Sequence, residues 1–378
     1  KCNDSKYCGG CSMQGISYHK QLEMKQEHAL SLLKKFGNVE EIIGCKHPTN
    51  YRNKVQVSFG YDDKRCLICG NYVSSTHMIV PIKECMIVDE RANELIDSVL
   101  RIATKYKISA FDEYSYKGCL RHLLIRTSNL GEVMLVLVTG SFNINKKEQF
   151  IRDILKYNPY VTTIVQNFNN KHTSMILGDK NTVLYGKGYI KDELCGLEFK
   201  ISPSSFYQIN RFQTEVLYNT TLSLADFKGN ETIIDAYCGT GTIGMIASKS
   251  VKRVLGVELN SFAIKDAIKN AKYNKIDNIE FVCDDAGHYM ENMTKNHLHL
   301  DALIMDPPRS GASVKFLKSV LRLKPKKIIY ISCGIESLRD NLSFLTRDAY
   351  SVKTIQPVDM FPYTSVGHVE NIVILERK

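Results

Sequence analysis

Apolar residues recur along the chain with two different rhythms, and the change from one to the other organises the sequence. Between residues 17 and 36, Leu22, Ala29, Leu32, Leu33 and Phe36 stand among Lys, Gln and Glu, and Gly37 follows. That spacing predicts an amphipathic helix with a glycine stop. From Arg52 to about Val138 alternation takes over, as in Val55-Gln56-Val57-Ser58-Phe59, interrupted by a helical stretch over residues 89–106. Segments 123–127 and 133–138 flank Asn129-Leu130-Gly131, the pattern of a hairpin. The middle of the chain therefore reads as an antiparallel sheet with helices. Beyond Phe206 the repeat becomes apolar strand, short loop, helix, with strands predicted over residues 232–237, 254–257, 279–282, 302–305 and 328–332. Such alternation predicts an α/β unit with a parallel, doubly wound sheet. The expected division is a Cys-rich segment and helix at residues 1–50, a central α+β unit at 51–200 and the α/β unit at 201–378.

With 378 residues and 44% hydrophobic content, the chain can bury the cores of two or three such units. No stretch approaches the roughly 20 uninterrupted apolar residues of a membrane helix, and no N-terminal apolar run marks a signal peptide. A soluble, cytoplasmic protein without a membrane partner is expected. Lys and Arg number 50 against 40 Asp and Glu, and the net charge of +10 favours encounters with a polyanion such as RNA. In a reducing compartment the 12 Cys would serve as thiols, for metal binding or catalysis, rather than as a disulfide framework.

The run Asp235-Ala236-Tyr237-Cys238-Gly239-Thr240-Gly241-Thr242-Ile243-Gly244 follows an apolar strand and opens a helix. Its glycines let a ligand approach the backbone. Glu258 ends the next apolar strand, where a carboxylate accepts hydrogen bonds from ribose hydroxyls. A dinucleotide enzyme would space three glycines to receive a pyrophosphate, and this loop does not. Asp285, after the third strand, is placed either to meet an adenine edge or to cap a helix. Asp306-Pro307-Pro308-Arg309-Ser310-Gly311 and Cys333 each follow a predicted strand, at the carboxyl edge where α/β sheets bind ligands. A lone Cys in that position is more often a buried small hydrophobe than a nucleophile.

Five motifs in order change that balance: Ser205-Phe206-Tyr207-Gln208-Ile209-Asn210, the glycine loop, residues 306–311, Ile331-Ser332-Cys333-Gly334, and Asp359-Met360-Phe361-Pro362 with His368-Val369-Glu370. With them, nearly the whole chain resembles the RNA uracil-5-methyltransferase family. The resemblance implies a Rossmann-like class I methyltransferase domain after an α+β RNA-binding domain, with S-adenosylmethionine as methyl donor. It implies that Cys333 is the nucleophile and Glu370 the base that removes the C5 proton. Gln208, Tyr237, Glu258 and Asp306 would contact the cofactor or the target base, with Gly239 and Thr242 in the same loop. Asp306 would hold the N3–H or O4 edge of uracil. The chemistry needs this set, because C5 of uracil is too weak a nucleophile until a thiolate adds at C6. The chain departs from the family where residues 363–367 separate Phe361-Pro362 from His368, a longer interval than the pattern usually has.

At the front, Cys2, Cys8 and Cys11 precede a distant Cys85. Spacing alone favours zinc, since Cys8-x2-Cys11 and Cys66-x2-Cys69 make two paired knuckles. The resemblance reverses that preference, because ribosomal members of the family carry a 4Fe–4S cluster on four cysteines in the positions of Cys2, Cys8, Cys11 and Cys85. It also implies 23S ribosomal RNA as substrate, with the transfer RNA T-loop as alternative and a non-catalytic RNA-binding protein as the reading of another class. Arg52, Lys54, Arg121 and Phe206 are the expected RNA contacts. Many members begin with a TRAM-type β-barrel; none stands before Cys2, either because the enzyme naturally lacks it or because the sequence starts inside a longer chain. No protein partner is implied and a monomer is expected.

Overall fold

The computed structural model describes residues 2, 7–73, 76 and 78–378. Helix α1 (Tyr18–Leu33) begins at Ser17, whose hydroxyl accepts a hydrogen bond from the Lys20 N–H. Its buried ridge is Gln21, Lys25, Ala29 and Leu33, at a spacing of four, and two of those four are polar. Three strands follow, β1 (Lys54–Tyr61), β2 (Leu67–Tyr72) and β3 (Ile79–Pro81), then α2 (Glu90–Lys105), which Asp89 caps. Next come β4 (Leu120–Thr127), β5 (Val133–Thr139), α3 (Lys147–Tyr157), β6 (Val161–Phe168) and β7 (Lys180–Tyr185). These seven strands form one sheet in the order β3-β2-β1-β4-β5-β6-β7. It is antiparallel, as predicted, except that β6 runs parallel to β5 across the α3 connection. The expected hairpin is present, with Thr127 opposite Val133.

Strands β4 and β5 are buried along their whole length, which removes the alternation a one-faced strand would show. Leu123, Ile125, Leu135 and Leu137 pack on one face against α2 and α3. Leu124, Met134, Val136 and Val138 pack on the other with the hairpin β8 (Ile190–Leu194) and β9 (Leu197–Ile201), in one core with the sheet that follows.

That second sheet is built from α4 (Arg211–Ala225), β10 (Thr232–Ala236), α5 (Thr242–Ala247), β11 (Arg253–Glu258), α6 (Ser261–Tyr273), β12 (Ile279–Cys283), α7 (Ala286–Lys295), β13 (Ala302–Met305), α8 (Val314–Leu323), β14 (Lys327–Ser332), α9 (Ile335–Thr346), β15 (Tyr350–Val358) and β16 (Glu370–Arg377). Strand order is β12-β11-β10-β13-β14-β16-β15. The five predicted strands are all present and mutually parallel. Beyond them β16 enters antiparallel between β14 and β15. Helix α1 packs with this sheet rather than the first, its Ala29 and Leu33 sharing a core with α7, α8 and α9. Residues Val39 and Ile43 then run beside β15. Among the described residues no helix is long and apolar enough to cross a membrane.

Candidate active site

The carboxyl ends of β10, β11, β13 and β14 open onto a cavity of about 930 Å³. After β10 the chain turns through Tyr237, Gly239 and Gly241, all with positive φ. A side chain on Gly241 would strike the Phe281 ring, whereas the space in front of Gly239 is open, so there the backbone itself is offered to a ligand. Glu258 faces this turn from the end of β11. One of its oxygens accepts from the Gly239 N–H at 3.1 Å and the other from the Asn260 N–H at 2.8 Å. Each oxygen keeps a lone pair for a hydroxyl in the cavity. Asp285 caps α7 by accepting from the His288 N–H, and it lines the same cavity while doing so. Behind the turn Asp235 is buried, holds the Gly244 N–H at 2.9 Å, and is pushed up to about 8 by burial. Gln208, Tyr237 and Thr242 complete this side of the cavity. An open backbone approach, two carboxylates and, among the described residues, no cation at the turn suit a nucleoside that carries a sulfonium cation and no phosphate, as S-adenosylmethionine does, better than a pyrophosphate.

Across the cavity the sheet register brings three reactive side chains together. Ser332 pairs with Asn371 in the antiparallel β14–β16 ladder, so Cys333, one residue on, stands beside Glu370, one residue back. Asp306 enters from the end of the neighbouring β13. All three line the cavity. Burial pushes the Cys333 thiol up to about 11, and the carboxylates of Glu370 and Asp306 push it the same way against the Arg309 cation. Burial likewise raises Glu370 above the ordinary carboxylate range, with Asp306 adding to it, and raises Asp306 itself. Two neighbouring carboxyls of this kind do not ionise independently.

Three further residues of the cavity were not among the expected site residues. Tyr218, on α4, is buried against Gln208, with which it hydrogen-bonds, and lies near Asp306 and Glu370. A lone Tyr in a polar helix gives no sign of this in the sequence. Arg309 donates from Nη1 to His368 Nε2 at 2.8 Å, which requires that nitrogen to be unprotonated. Burial, then Arg309 and Lys25, hold the His368 pKa below its usual value, in keeping with that contact. Both residues belong to recognised motifs, but their pairing depends on a loop fold that spacing does not reveal.

The expected RNA contacts separate. Phe206, 69% exposed, stands at the cavity mouth with Arg52. Lys54 lies instead on a second cavity, where burial and then Arg126 and Arg52 push it down to about 8. Arg121 is not brought to either cavity. It is 3% exposed, and its guanidinium donates to the carbonyls of Asn169, Lys171 and Thr173 and to the Glu113 carboxylate, closing two loops at the far end of β4.

The second cavity, of about 300 Å³, is lined by Cys2, Cys8, Cys11 and Cys85. The Cys11 thiol is raised chiefly by burial, but also by the charges of Cys85, Cys8 and Cys2, and the Gln14 side chain opposes this with a hydrogen bond. Asn71 Nδ2 lies 3.6 Å from Cys8 Sγ, and the N–H groups of Ile87 and Val88 are directed at Cys85. Among the described residues no group of three or more His, Cys, Asp and Glu side chains is arranged to hold a metal ion. Cys66 and Cys69 do not join these four: Cys66 is exposed between β1 and β2, and Cys69 is buried in the core beneath α2. Gly10, Arg52 and Ile209 line both cavities, so the two adjoin.

Known proteins share this arrangement. The model of the tRNA (uracil-5-)-methyltransferase family matches residues 175–378. An uncharacterised RNA methyltransferase of Bacillus cereus is 39% identical over 100% of this chain and 83% of its own length. Another, from Halalkalibacterium halodurans, is 40% identical over 98% of this chain and 82% of its own. Among solved structures, the tRNA (uracil-54, C5)-methyltransferase of Pyrococcus abyssi in complex with S-adenosyl-L-homocysteine superposes with a TM-score of 0.79 at 27% identity. That match covers 97% of this chain and 86% of the archaeal one. The chain belongs to the tRNA (uracil-5-)-methyltransferase family and is an S-adenosylmethionine-dependent RNA methyltransferase.

Proposed function

We propose that this enzyme methylates C5 of a uridine in 23S ribosomal RNA through a covalent Cys333 adduct. The observation that carries the chemistry is the meeting of Cys333, Glu370 and Asp306 in one cavity with the glycine turn and Glu258. Bound S-adenosylmethionine supplies an electrophilic methyl group on a sulfonium. The chain's own residues do the rest. A uridine splayed from its stack enters past Phe206 and Arg52. Cys333 gives its proton to solvent water, its thiolate Sγ forms a bond to C6, and the C5=C6 electron pair moves toward O4. The buried carboxyl pair, with raised pKa values, retains and shares a proton near neutrality; with that proton on Asp306, its hydroxyl donates to the growing charge on O4 and Glu370 is the ionised base. C5 then attacks the methyl group, and the electrons of the broken S–CH3 bond stay on sulfur, which leaves as a neutral thioether. Glu370 then removes the C5 proton, the C6–S bond breaks, and the ring double bond returns with the thiolate as leaving group. A carboxylate with raised pKa is the better base for that step. Cytosine, with no N3–H and an amino group in place of O4, would leave the Asp306 contacts unmatched.

Cys2, Cys8, Cys11 and Cys85 are the ligands of a 4Fe–4S cluster in this reading. Four thiols around one cavity, with N–H donors aimed at the sulfurs, fit such a group. Each sulfur would bind a different iron, so the four need not close to the roughly 2.3 Å shell around a single zinc. The cluster takes no part in the reaction. Protein purified without oxygen should be brown and hold about four irons per chain; colourless protein with stoichiometric zinc would overturn the assignment. A reducing, cytoplasmic location goes with these free thiols.

The cluster favours ribosomal RNA, whereas the archaeal relative's tRNA substrate supports the T-loop as the second reading. Mapping 5-methyluridine in both RNAs from a strain lacking the gene separates them. Loss from 23S RNA alone is expected. Loss from transfer RNA alone would transfer the assignment, and loss from neither would refute it.

A further inference from the structure

The loop that leads to Glu370 runs from Asp359 to His368, and an ion pair outside the proposed chemistry closes its base. Lys25, on the buried ridge of α1, and Asp359, just after β15, are both fully enclosed. Lys25 Nζ donates to Asp359 Oδ1 at 2.6 Å, to the Phe361 carbonyl at 3.0 Å and to the His368 carbonyl at 3.3 Å. An ammonium has three N–H donors, and here each has one acceptor. Two of the acceptors lie where the loop leaves β15 and one lies two residues before Glu370. One cation therefore ties the two ends of the loop together across residues 363–367.

The rest of the loop is held in the same way. Asp359 Oδ2 accepts from the Tyr18 hydroxyl at 2.8 Å, and that hydroxyl accepts from the Cys45 N–H. The carbonyls of Met360, Pro362 and Tyr363 accept in turn from Asn210 Nδ2, the Tyr51 hydroxyl and the Met13 N–H. The Tyr363 N–H donates to Gln21 Oε1 at 2.9 Å. Stability does not account for this. Withdrawing two charges from water costs nearly what their attraction returns, and well-packed apolar side chains would serve a core as well. A fixed geometry is what such a pair supplies.

We propose that Lys25 is a positioning residue: it clamps the loop of residues 359–368 where the chain enters β16 and so holds Glu370 in the place that the β14–β16 register gives it, for proton removal. The inference rests on Glu370 being the base. It makes the N-terminal helix part of the active site, although α1 contributes no residue to the cavity.

The double variant Lys25→Met with Asp359→Leu removes both charges and leaves no unpaired ion in the core. Its melting temperature should stay within about 5 °C of the wild type. Its kcat should fall about 10- to 100-fold, with KM for the methyl donor within about two-fold, because a misplacement of the base slows elimination and leaves donor binding intact. The distinguishing sign is a denaturant-resistant enzyme–RNA adduct that builds up during turnover, which a general loss of stability would not produce. A folded double variant with wild-type kcat and no added adduct overturns the proposal. Tyr18→Phe, which weakens the hold on Asp359 without touching a charge, should raise the adduct in the same direction if the double variant does not fold. A wild-type adduct level there also overturns it. Glu370→Gln, run in parallel, separates the two claims. If it traps adduct and the loop variants do not, the clamp alone fails; if it traps none, the base assignment fails and takes the clamp with it.

Discussion

Cys333→Ala is expected to reduce turnover to background while leaving the affinity for S-adenosylmethionine nearly unchanged. Loss of a covalent nucleophile costs on the order of 10⁵–10⁶ in rate, or roughly 7–8 kcal/mol in the barrier. The donor should be unaffected because the residues proposed to hold it, Gly239, Glu258 and Asp285, line the opposite wall. Calorimetry with the donor beside single-turnover methylation of the RNA tests both halves, and a variant that still methylates at a measurable fraction of the wild-type rate would exclude covalent catalysis. The same residue gives a pH dependence. With the Cys333 thiol pushed up to about 11, only thiolate reacts, so alkylation of the free enzyme should rise through pH 11 rather than near the usual 8.5. At pH 8 the thiolate fraction is then about 0.1%, against about 24% for an ordinary thiol, a difference of roughly 200-fold in alkylation rate. Because Glu370 is the larger of the two charges opposing ionisation, Glu370→Gln should speed alkylation at that pH.

Much of this was legible in the residues because the second sheet is buried on both faces. Its five parallel strands are short apolar runs that end where loops must carry chemistry, so Asp306 and Cys333 could be placed at strand ends before any contact was known. The roles given to them came from the resemblance. Glu370 was different: what sets it beside Cys333 is the antiparallel register of β16, and neither β15 nor β16 was predicted. Register is a pairing across distant sequence, with no local trace. Helix α1 is where it was expected, but half of its buried ridge was not legible, for a related reason. Periodicity looks for an apolar stripe, and the ridge this helix buries contains Gln21 and Lys25, whose partners lie more than 300 residues away. Arg121 shows the reverse error. A cation beside an aromatic ring, as in Leu120-Arg121-His122, looks like an RNA contact, but this one is consumed by three carbonyls and a carboxylate of its own chain. Charge in a sequence shows what a side chain could bind, and only the fold shows what already binds it.

The sharpest expected result concerns Glu370. Thiolate addition and methyl transfer both precede removal of the C5 proton, so Glu370→Gln should carry out the first two steps and stop. An amide is a very weak base, and losing a general base slows its step by about 10²–10⁴-fold. Elimination would become the slowest step, and the enzyme should accumulate as a methylated covalent complex with its RNA. A denaturing gel would show it as a band of reduced mobility that requires both the methyl donor and Cys333. Geometry and electrostatics agree with this order of events. Glu370 is 6% exposed at the first position of β16, beside the nucleophile, and the raised pKa that burial and Asp306 give it makes its carboxylate form a stronger proton acceptor than an ordinary carboxylate. The glutamine keeps the size of the side chain, so a failure to eliminate would reflect the missing base and not a vacated space. A Glu370→Gln enzyme that turned over at the wild-type rate, with no trapped band, would remove Glu370 from the mechanism and leave Asp306 as the carboxyl group to test next.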